Sequence, residues 1–524
     1  MRVGRRSVLR LAGSLVAGSS VAGCHPEPPA SPCPTAVEPP PKVAAPPARR
    51  PLKGALEDAL AKLYAHGSRG LCVVGFDRTS IRFQESLGLD DLGGEPTTLA
   101  FHVASVSKLF TGAALASLVR DAKLDWDEPF AAVCPSARLE ESFANDGPLL
   151  LDVLSHRTGL PMWAGDMLWY RTRNPWSFIK TRLAAIKPTS PIRSSFSYSN
   201  LLVSALREAF ESRAGLTWEQ ALTGYVLEPL GMSRTWLTDE AAARIDRLAP
   251  PMTTLDGSPV PAFAQRLDAV APATGVRSCA ADIVKLLQAQ LAYRSESALW
   301  PPSILEPMWE PYLPLPFSAH RHRLTPETLG QATGLGCFVL WHAGRRLVCH
   351  GGALPGASSF AAFVPEEGVG LVLLSNADDD IFMRAALFTA LDDLLGLEPS
   401  DWAQRFTEIK RADETDTPAP REPRISDLED KDLKAIVGQY ESPVYGTMTI
   451  SEGVGSAQVS LEHHVDVRGQ IVKKTDRGFA ADFVPKHIGR VYFTAQTRKD
   501  KVVELVGLFG SHSIDGLVYR FKRV

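Results

Sequence analysis

From Ser105 to Val119 the chain is apolar or small at nearly every position, and this run constrains the fold more than any other stretch. Residues 106, 109, 110, 113, 114 and 118 follow the i, i+3, i+4 spacing of a buried helix face, and Leu115 and Val119 carry the apolar character further around. Such a helix offers little surface to water, so the rest of the chain has to be wrapped around it. Before it, Leu71–Phe76 and Ile81–Leu87 read as strands, preceded by a helical pattern at Leu56, Leu60 and Leu63. After it, Trp218–Leu227 and Ala280–Leu291 read as helices. Phe338–Trp341, Arg346–His350, Ser358–Val364 and Gly368–Ser375 then read as short strands joined by tight turns. Strands at both ends with helices between predict an α+β domain whose sheet gathers the termini.

The flanks differ in character from this body. Arg2, Arg5, Arg6 and Arg10 surround the start of a short apolar stretch, Leu11–Ala22, which has the layout of an export signal and is too short to span a membrane as a helix. Arg5-Arg6 resembles a twin-arginine signal, and Val21-Ala22-Gly23-Cys24 resembles a lipobox that would make Cys24 the lipidated first residue of the mature chain. An ordinary cleaved signal with an incidental cysteine is the plainer alternative. Residues 25–52 are rich in proline and alanine, the composition of a stiff spacer. The expected boundaries are a signal over 1–24, this linker, a catalytic domain over 53–400, a charged linker over 401–431 and a small all-β unit, sandwich or barrel, over 432–524. In that last unit Leu517, Tyr519 and Phe521 alternate with Arg520 and Lys522.

A net charge of -3 from 56 basic and 59 acidic residues gives no basic excess to neutralise a phosphate backbone, so nucleic acid is not an expected partner. The seven cysteines form no C-x-x-C pair, and no zinc site or disulfide-dense scaffold is indicated. Cys337 and Cys349 flank a hairpin and either face each other or remain buried thiols.

Ser105-Val106-Ser107-Lys108 opens the apolar helix. Residues i and i+3 share a helix face, the N-terminus supplies positive potential, and an apolar setting depresses the lysine pKa until the neutral amine can take the serine proton. S-x-x-K alone is weak, since Ser177-Phe178-Ile179-Lys180 matches as well. Order adds the specificity. Tyr198-Ser199-Asn200 is the only Y-x-N in the chain, and His350-Gly351-Gly352 follows it on a strand with a glycine-rich turn. His342-Ala343-Gly344 and His487-Ile488-Gly489 also match H-x-G but lack that turn. Singly, Tyr198 and Asn200 fit an ordinary helix entry and His350 a satisfied strand histidine.

Together the ordered motifs resemble the serine β-lactamase-like superfamily: class C β-lactamases, D-alanyl-D-alanine carboxypeptidases, D-aminopeptidases and related esterases. Leu124-Asp125-Trp126-Asp127-Glu128-Pro129, Leu154 to Leu160 (L-S-H-R-T-G-L) and Leu227-Glu228-Pro229-Leu230-Gly231-Met232 add to the likeness, which spans about residues 53 to 395. The resemblance implies an antiparallel sheet flanked by helices with a helical subdomain, and Gly438-Gln439-Tyr440 is similar to the start of the lipocalin-like β-domains of some members. It implies that Ser105 is acylated, that Lys108 takes its proton and that Tyr198 relays protons. Asn200 would bind the substrate amide, and the N–H groups of Ser105 and Ala353, beyond Gly352, would form the oxyanion hole. His350 would stand where many members carry the lysine of K-T-G; K-T-G is the usual β-lactamase form, whereas H-x-G with Tyr-Ser-Asn is more typical of the peptidases and esterases. His156 is read as a folding residue of its loop. No metal or organic cofactor is implied; the expected partners are a small-molecule or peptide substrate with a reactive carbonyl and, through Cys24, the membrane on the periplasmic side of the envelope. A non-catalytic or slowly deacylating binder of cell-wall fragments is the reading from another class, and an intact Lys108 and Tyr198 argue against it.

Overall fold

In a computed structural model the described residues are 70–524 apart from 90–91, 144–146, 256–257, 317–324, 378–380, 417–424, 454–455, 465, 485–489, 500 and 509–518. The signal, Cys24, the proline-rich linker, the helical pattern at 56–63 and His487 lie outside them.

The alternation of apolar residues builds one eight-stranded sheet from β1 (Leu71–Asp77), β2 (Ile81–Leu87), β3 (Leu313–Leu315), β4 (Thr328–Thr333), β5 (Phe338–His342), β6 (Arg345–Leu354), β7 (Ala357–Val364) and β8 (Val369–Ser375). The order is β2-β1-β8-β7-β6-β5-β4-β3 with every pair antiparallel, so the first two strands join the later ones at one edge, as the α+β reading expected. Strand β1 is buried along its whole length because both of its faces are covered. Cys72, Val74 and Phe76 face a core that includes α1 (Ser107–Arg120) and α2 (Ala280–Leu291), whereas Leu71 and Val73 face α3 (Ile381–Leu394). Residues 107–118 of α1 are all buried, the condition predicted from the apolar run. The helix predicted over Trp218–Leu227 is α-helical to Leu222 and widens into a π turn over Thr223–Leu227.

The segment expected as a linker over 401–431 does not begin as one. It opens with α4 (Trp402–Asp416), whose Trp402, Ala403 and Phe406 pack on the same sheet face as α3. The Trp402 indole donates to Asp392 Oδ2 (2.6 Å), and Asp392 Oδ1 lies 2.7 Å from His342 Nε2, which binds the second H-x-G histidine into a buried cluster on the side of the sheet away from α1. The apolar stripe is short and set among charges, so composition masks its amphipathic spacing.

Beyond it, eight strands form an up-and-down meander: Gly438–Ser442, Gly446–Gly453, Ser456–Leu461, Arg468–Thr475, Gly478–Val484, Arg490–Arg498, Lys501–Leu508 and Tyr519–Arg523. Each pairs with the next, and Tyr440 and Glu441 of the first strand pair with Arg523 and Lys522 of the last, which closes a barrel. Closure pairs each of these eight strands on both sides, and a short further strand, Ile425–Ser426, adds on at Thr475 and Lys474 of the fourth.

Candidate active site

The start of α1 is held in an unusual turn. Ala104 has φ +47, a left-handed conformation that costs a non-glycine residue about 1–3 kcal/mol, and residues 104–106 form a 3-10 turn before the α-helix begins at Ser107. Two contacts hold it: the Ser359 hydroxyl donates to Val103 O (2.7 Å), and Ser107 Oγ donates to Ala104 O (2.6 Å) while accepting from Val276 N–H (3.0 Å). The turn presents Ser105, 9 % exposed, at the mouth of an otherwise closed core.

Lys108 is fully buried, and its Nζ lies 2.8 Å from Asn200 Oδ1, 2.9 Å from Ala273 O and 3.2 Å from Ser105 Oγ. Burial pulls its pKa from 10.5 to about 7, against the opposing pull of the Asp166 carboxylate. The geometry decides what a neutral amine does here. Asn200 Oδ1 and Ala273 O can only accept, so they take its two N–H groups and leave the lone pair directed at Ser105 Oγ. That is the arrangement of a general base.

Tyr198 stands over this pair, with Lys108 Nζ 4.6 Å from its ring centre. Its ring is held between His156 (4.3 Å) and Trp163 (4.4 Å), and Trp163 N–H donates to Tyr198 O (2.8 Å). Burial holds the phenol well above its ordinary pKa despite the hydrogen bond with Ser105, so it stays protonated. Next to it, Ser199 caps a short helix, Asn200–Ala205, by accepting from Leu202 N–H. That cap fixes Asn200 at the first helical position, where its side chain reaches Lys108 at one end and donates to Asp166 Oδ2 (2.8 Å) at the other.

On the opposite wall is β6. A Cβ at Gly352 would come within 2.4 Å of both Val103 O and Ser359 Oγ, so only glycine lets this strand approach the nucleophile turn. Ala353, the next residue, is paired in register with Ser358, with its side chain outward. His350 is 2 % exposed and 6.4 Å, ring to ring, from Tyr198. Its Nδ1 lies 2.6 Å from Gly351 O, an atom that can only accept, so the proton sits on Nδ1. Burial and the nearby Lys108 push its pKa down to about 3, so the ring is neutral and Nε2 is an acceptor, buried and unpartnered.

The structure thus brings Ser105, Lys108, Tyr198, Asn200, His350 and Gly352 together from three separate stretches, and it keeps the second S-x-x-K copy apart. Ser177 is exposed, and Lys180 turns to Ser136 Oγ (2.6 Å) and Glu208 (3.8 Å). His156, read as a folding residue, lies against the Tyr198 ring at φ +53, and its Nδ1 accepts from Ser199 N–H (3.4 Å). Cys337, in the bend just before β5, and Cys349, on β6, are free buried thiols. Sequence reasoning missed Asp166, Trp163 and the carbonyl of Ala273. Among the described residues no group of three or more His, Cys, Asp or Glu side chains could hold a metal ion.

Comparison with known proteins places this geometry. The β-lactamase family profile matches residues 55–395. The unguisins hydrolase of Aspergillus campestris (strain IBT 28561) is 24% identical over 389 residues, which is 68% of this chain and 69% of that protein. Among solved structures, the octameric penicillin-binding protein homologue from Pyrococcus abyssi shares the fold with a TM-score of 0.58 at 17% identity, over 89% of this chain and 98% of its own. A D-stereospecific amidohydrolase from Streptomyces gives a TM-score of 0.53 at 20% identity over 64% and 98%. A class C β-lactamase from Rhodobacter sphaeroides gives 0.51 at 20% over 65% and 98%. With the profile covering most of the chain and an S-x-x-K serine at the centre of the site, this protein belongs to the β-lactamase family and is a serine hydrolase.

Proposed function

We propose that the enzyme hydrolyses amide or ester bonds through an acyl-Ser105 intermediate, and that its substrates are D-aminopeptidase-like amides or esters without a carboxylate beside the scissile bond. The observation that carries this reading is the tautomer of His350. A neutral ring with Nε2 as acceptor receives an N–H or O–H from a substrate; it cannot clasp a carboxylate as the lysine of K-T-G does. This weighs against efficient β-lactam hydrolysis and against a carboxypeptidase that grips a free C-terminus. The named activity of the similar D-stereospecific amidohydrolase agrees with amide chemistry, and that of the unguisins hydrolase with hydrolysis.

In this scheme neutral Lys108 takes the Ser105 proton as Oγ attacks the carbonyl carbon. The backbone N–H groups of Ser105 and Ala353 receive the developing oxyanion, and the Tyr198 phenol passes a proton to the leaving amine or alkoxide. Water then attacks the acyl-enzyme with the same groups acting in reverse. The test is a panel of a D-amino acid nitroanilide, a short-chain nitrophenyl ester, a D-alanyl-D-alanine peptide and a chromogenic cephalosporin, with Ser105→Ala as control. The first two are expected to turn over fastest; a dominant rate on the cephalosporin or the carboxylate-terminated peptide overturns the reading. The same proposal puts the enzyme at the cell envelope, tethered through lipidated Cys24. Metabolic labelling with an alkyne fatty acid, lost in Cys24→Ser, checks that part.

A further inference from the structure

Asp166 is bound into the site yet belongs to none of its motifs. It begins a 3-10 turn, Asp166–Leu168, directly after Gly165 at φ +84. A Cβ at Gly165 would lie 2.4 Å from the Leu201 side chain, so glycine lets the turn press against the helix that carries Asn200. From there Asp166 Oδ2 accepts from Asn200 Nδ2 (2.8 Å), Asn200 Oδ1 accepts from Lys108 Nζ (2.8 Å), and Lys108 reaches Ser105 Oγ at 3.2 Å. The contact fixes which way round the Asn200 amide sits, because its oxygen then has to face the lysine.

The other side of the turn is held by the C-terminal barrel. Gly165 N–H donates to the Tyr445 hydroxyl (3.1 Å), and the Tyr445 ring lies 4.6 Å from Tyr519. His464 is buried close to the backbone of Met167 and Tyr170. Nearby, His463 meets the Phe178 ring at 4.7 Å and Arg182 donates to Pro443 O (3.3 Å). Tyr445 and His464 sit on hairpin turns at one rim of the barrel, so that rim grips the backbone on both sides of Asp166.

We propose that Asp166 is a positioning residue for the Lys108–Ser105 pair and that the C-terminal barrel acts on the nucleophile through it. Asp166 orients Asn200, and Asn200 in turn holds one N–H of the lysine so that the lone pair stays on Ser105. The charge of the carboxylate also favours the ammonium form of Lys108. The titratable groups around the pair are Lys108, His156, Tyr198 and His350 from the catalytic domain and Tyr445 and Tyr519 from the barrel. Both histidines and the neighbouring His464 of the barrel are neutral and the three phenols are held protonated; burial raises the Asp166 carboxyl to about 6, so above that pH Asp166 is the anion that Lys108 meets.

The inference rests on Ser105 being the nucleophile of the proposed function but not on the substrate, so the test reads acylation by a fluorophosphonate. It uses the full-length enzyme and the variants Asp166→Ala, Asp166→Asn, Tyr445→Phe and Asp166→Ala/Tyr445→Phe. Asp166→Ala is expected to slow Ser105 labelling about 10- to 100-fold and to move the acid limb of the pH profile to lower pH, since the lysine loses the anion that favours its charged form. Asp166→Asn keeps an acceptor for Asn200, so the rate recovers in part while the acid limb stays displaced. A loss that came from general loosening of the fold would not move the limb. Tyr445→Phe is expected to slow labelling about 3- to 10-fold, and the double variant to be no slower than Asp166→Ala alone. Wild-type rate and limb in both Asp166 variants overturn the positioning role, and additive losses in the double variant overturn the barrel's route through Asp166. Should Asp166→Ala not fold, Asp166→Asn and its combination with Tyr445→Phe carry the same two tests. A wild-type enzyme that is not labelled at Ser105 refutes the proposed function instead.

Discussion

The chain contains the S-x-x-K pattern twice, and the two copies show how little of a catalytic site resides in its motif. Lys108 lies inside a helix buried on every side, with two obligatory acceptors taking its N–H groups and a serine left for its lone pair. Lys180 lies where a short helix passes into a 3-10 turn; it is partly exposed and satisfied by Ser136 and Glu208, while Ser177 faces solvent. The same four-residue spacing gives the arrangement of a general base in one setting and an ordinary surface cation in the other. What separates them is desolvation and the identity of the remaining partners.

The sharpest way to break this contrast is to remove each lysine. Lys108→Ala is expected to lower the acylation rate of Ser105 by roughly 10²- to 10⁴-fold, the usual contribution of a positioned base, whereas Lys180→Ala leaves it unchanged. Comparable losses in stopped-flow labelling of both variants would falsify the distinction. Next in size, Gly352→Ala forces a methyl group against Val103 O and pushes β6 away from the serine. A loss of about 10²-fold in kcat, with secondary structure by circular dichroism retained, is the expected result.

Proton linkage sharpens the comparison. With Lys108 lowered to about 7, kcat/KM for a neutral ester should fall about tenfold per pH unit below that point, because only the neutral amine takes the serine proton. A flat profile between pH 5 and 7 removes Lys108 from the role. Stability follows the same shift. Between about 7 and 10.5 the unfolded chain binds a proton that the folded chain does not, so wild type should gain on Lys108→Met by roughly 2–4 kcal/mol as pH rises through that window, read from urea unfolding. The smallest effect belongs to Ser177→Ala, an exposed position, where the urea midpoint should correspond to a change within about 0.5 kcal/mol.

The fold was legible where a pattern repeats. The apolar run marked α1 as internal, the strand alternation marked the sheet, and the short strands at the end of the chain pointed to an all-β unit, sandwich or barrel, which the structure shows as a closed barrel. The motif residues of the site were legible because their order along the chain is itself rare. Asp166 and Trp163 were not, since each stands in an irregular loop and acts on a partner more than thirty residues away, Asn200 or Tyr198. The carbonyl of Ala273 carries no side-chain signature whatever. Helix α4 was hidden for a different reason: Trp402, Ala403 and Phe406 are a narrow stripe in a stretch dominated by charge, and composition outweighed spacing.

The row Asp166, Asn200, Lys108, Ser105 has a direction. An anion stands at one end, an amide is aligned between unlike neighbours, and a cation or amine points at a hydroxyl, so every dipole lies head to tail. Reversing the amide would set its NH₂ against the lysine and its oxygen against the carboxylate, two repulsions at once. The row therefore has one low-energy arrangement, and the enzyme does not have to select among misaligned versions of its own nucleophile before each turnover.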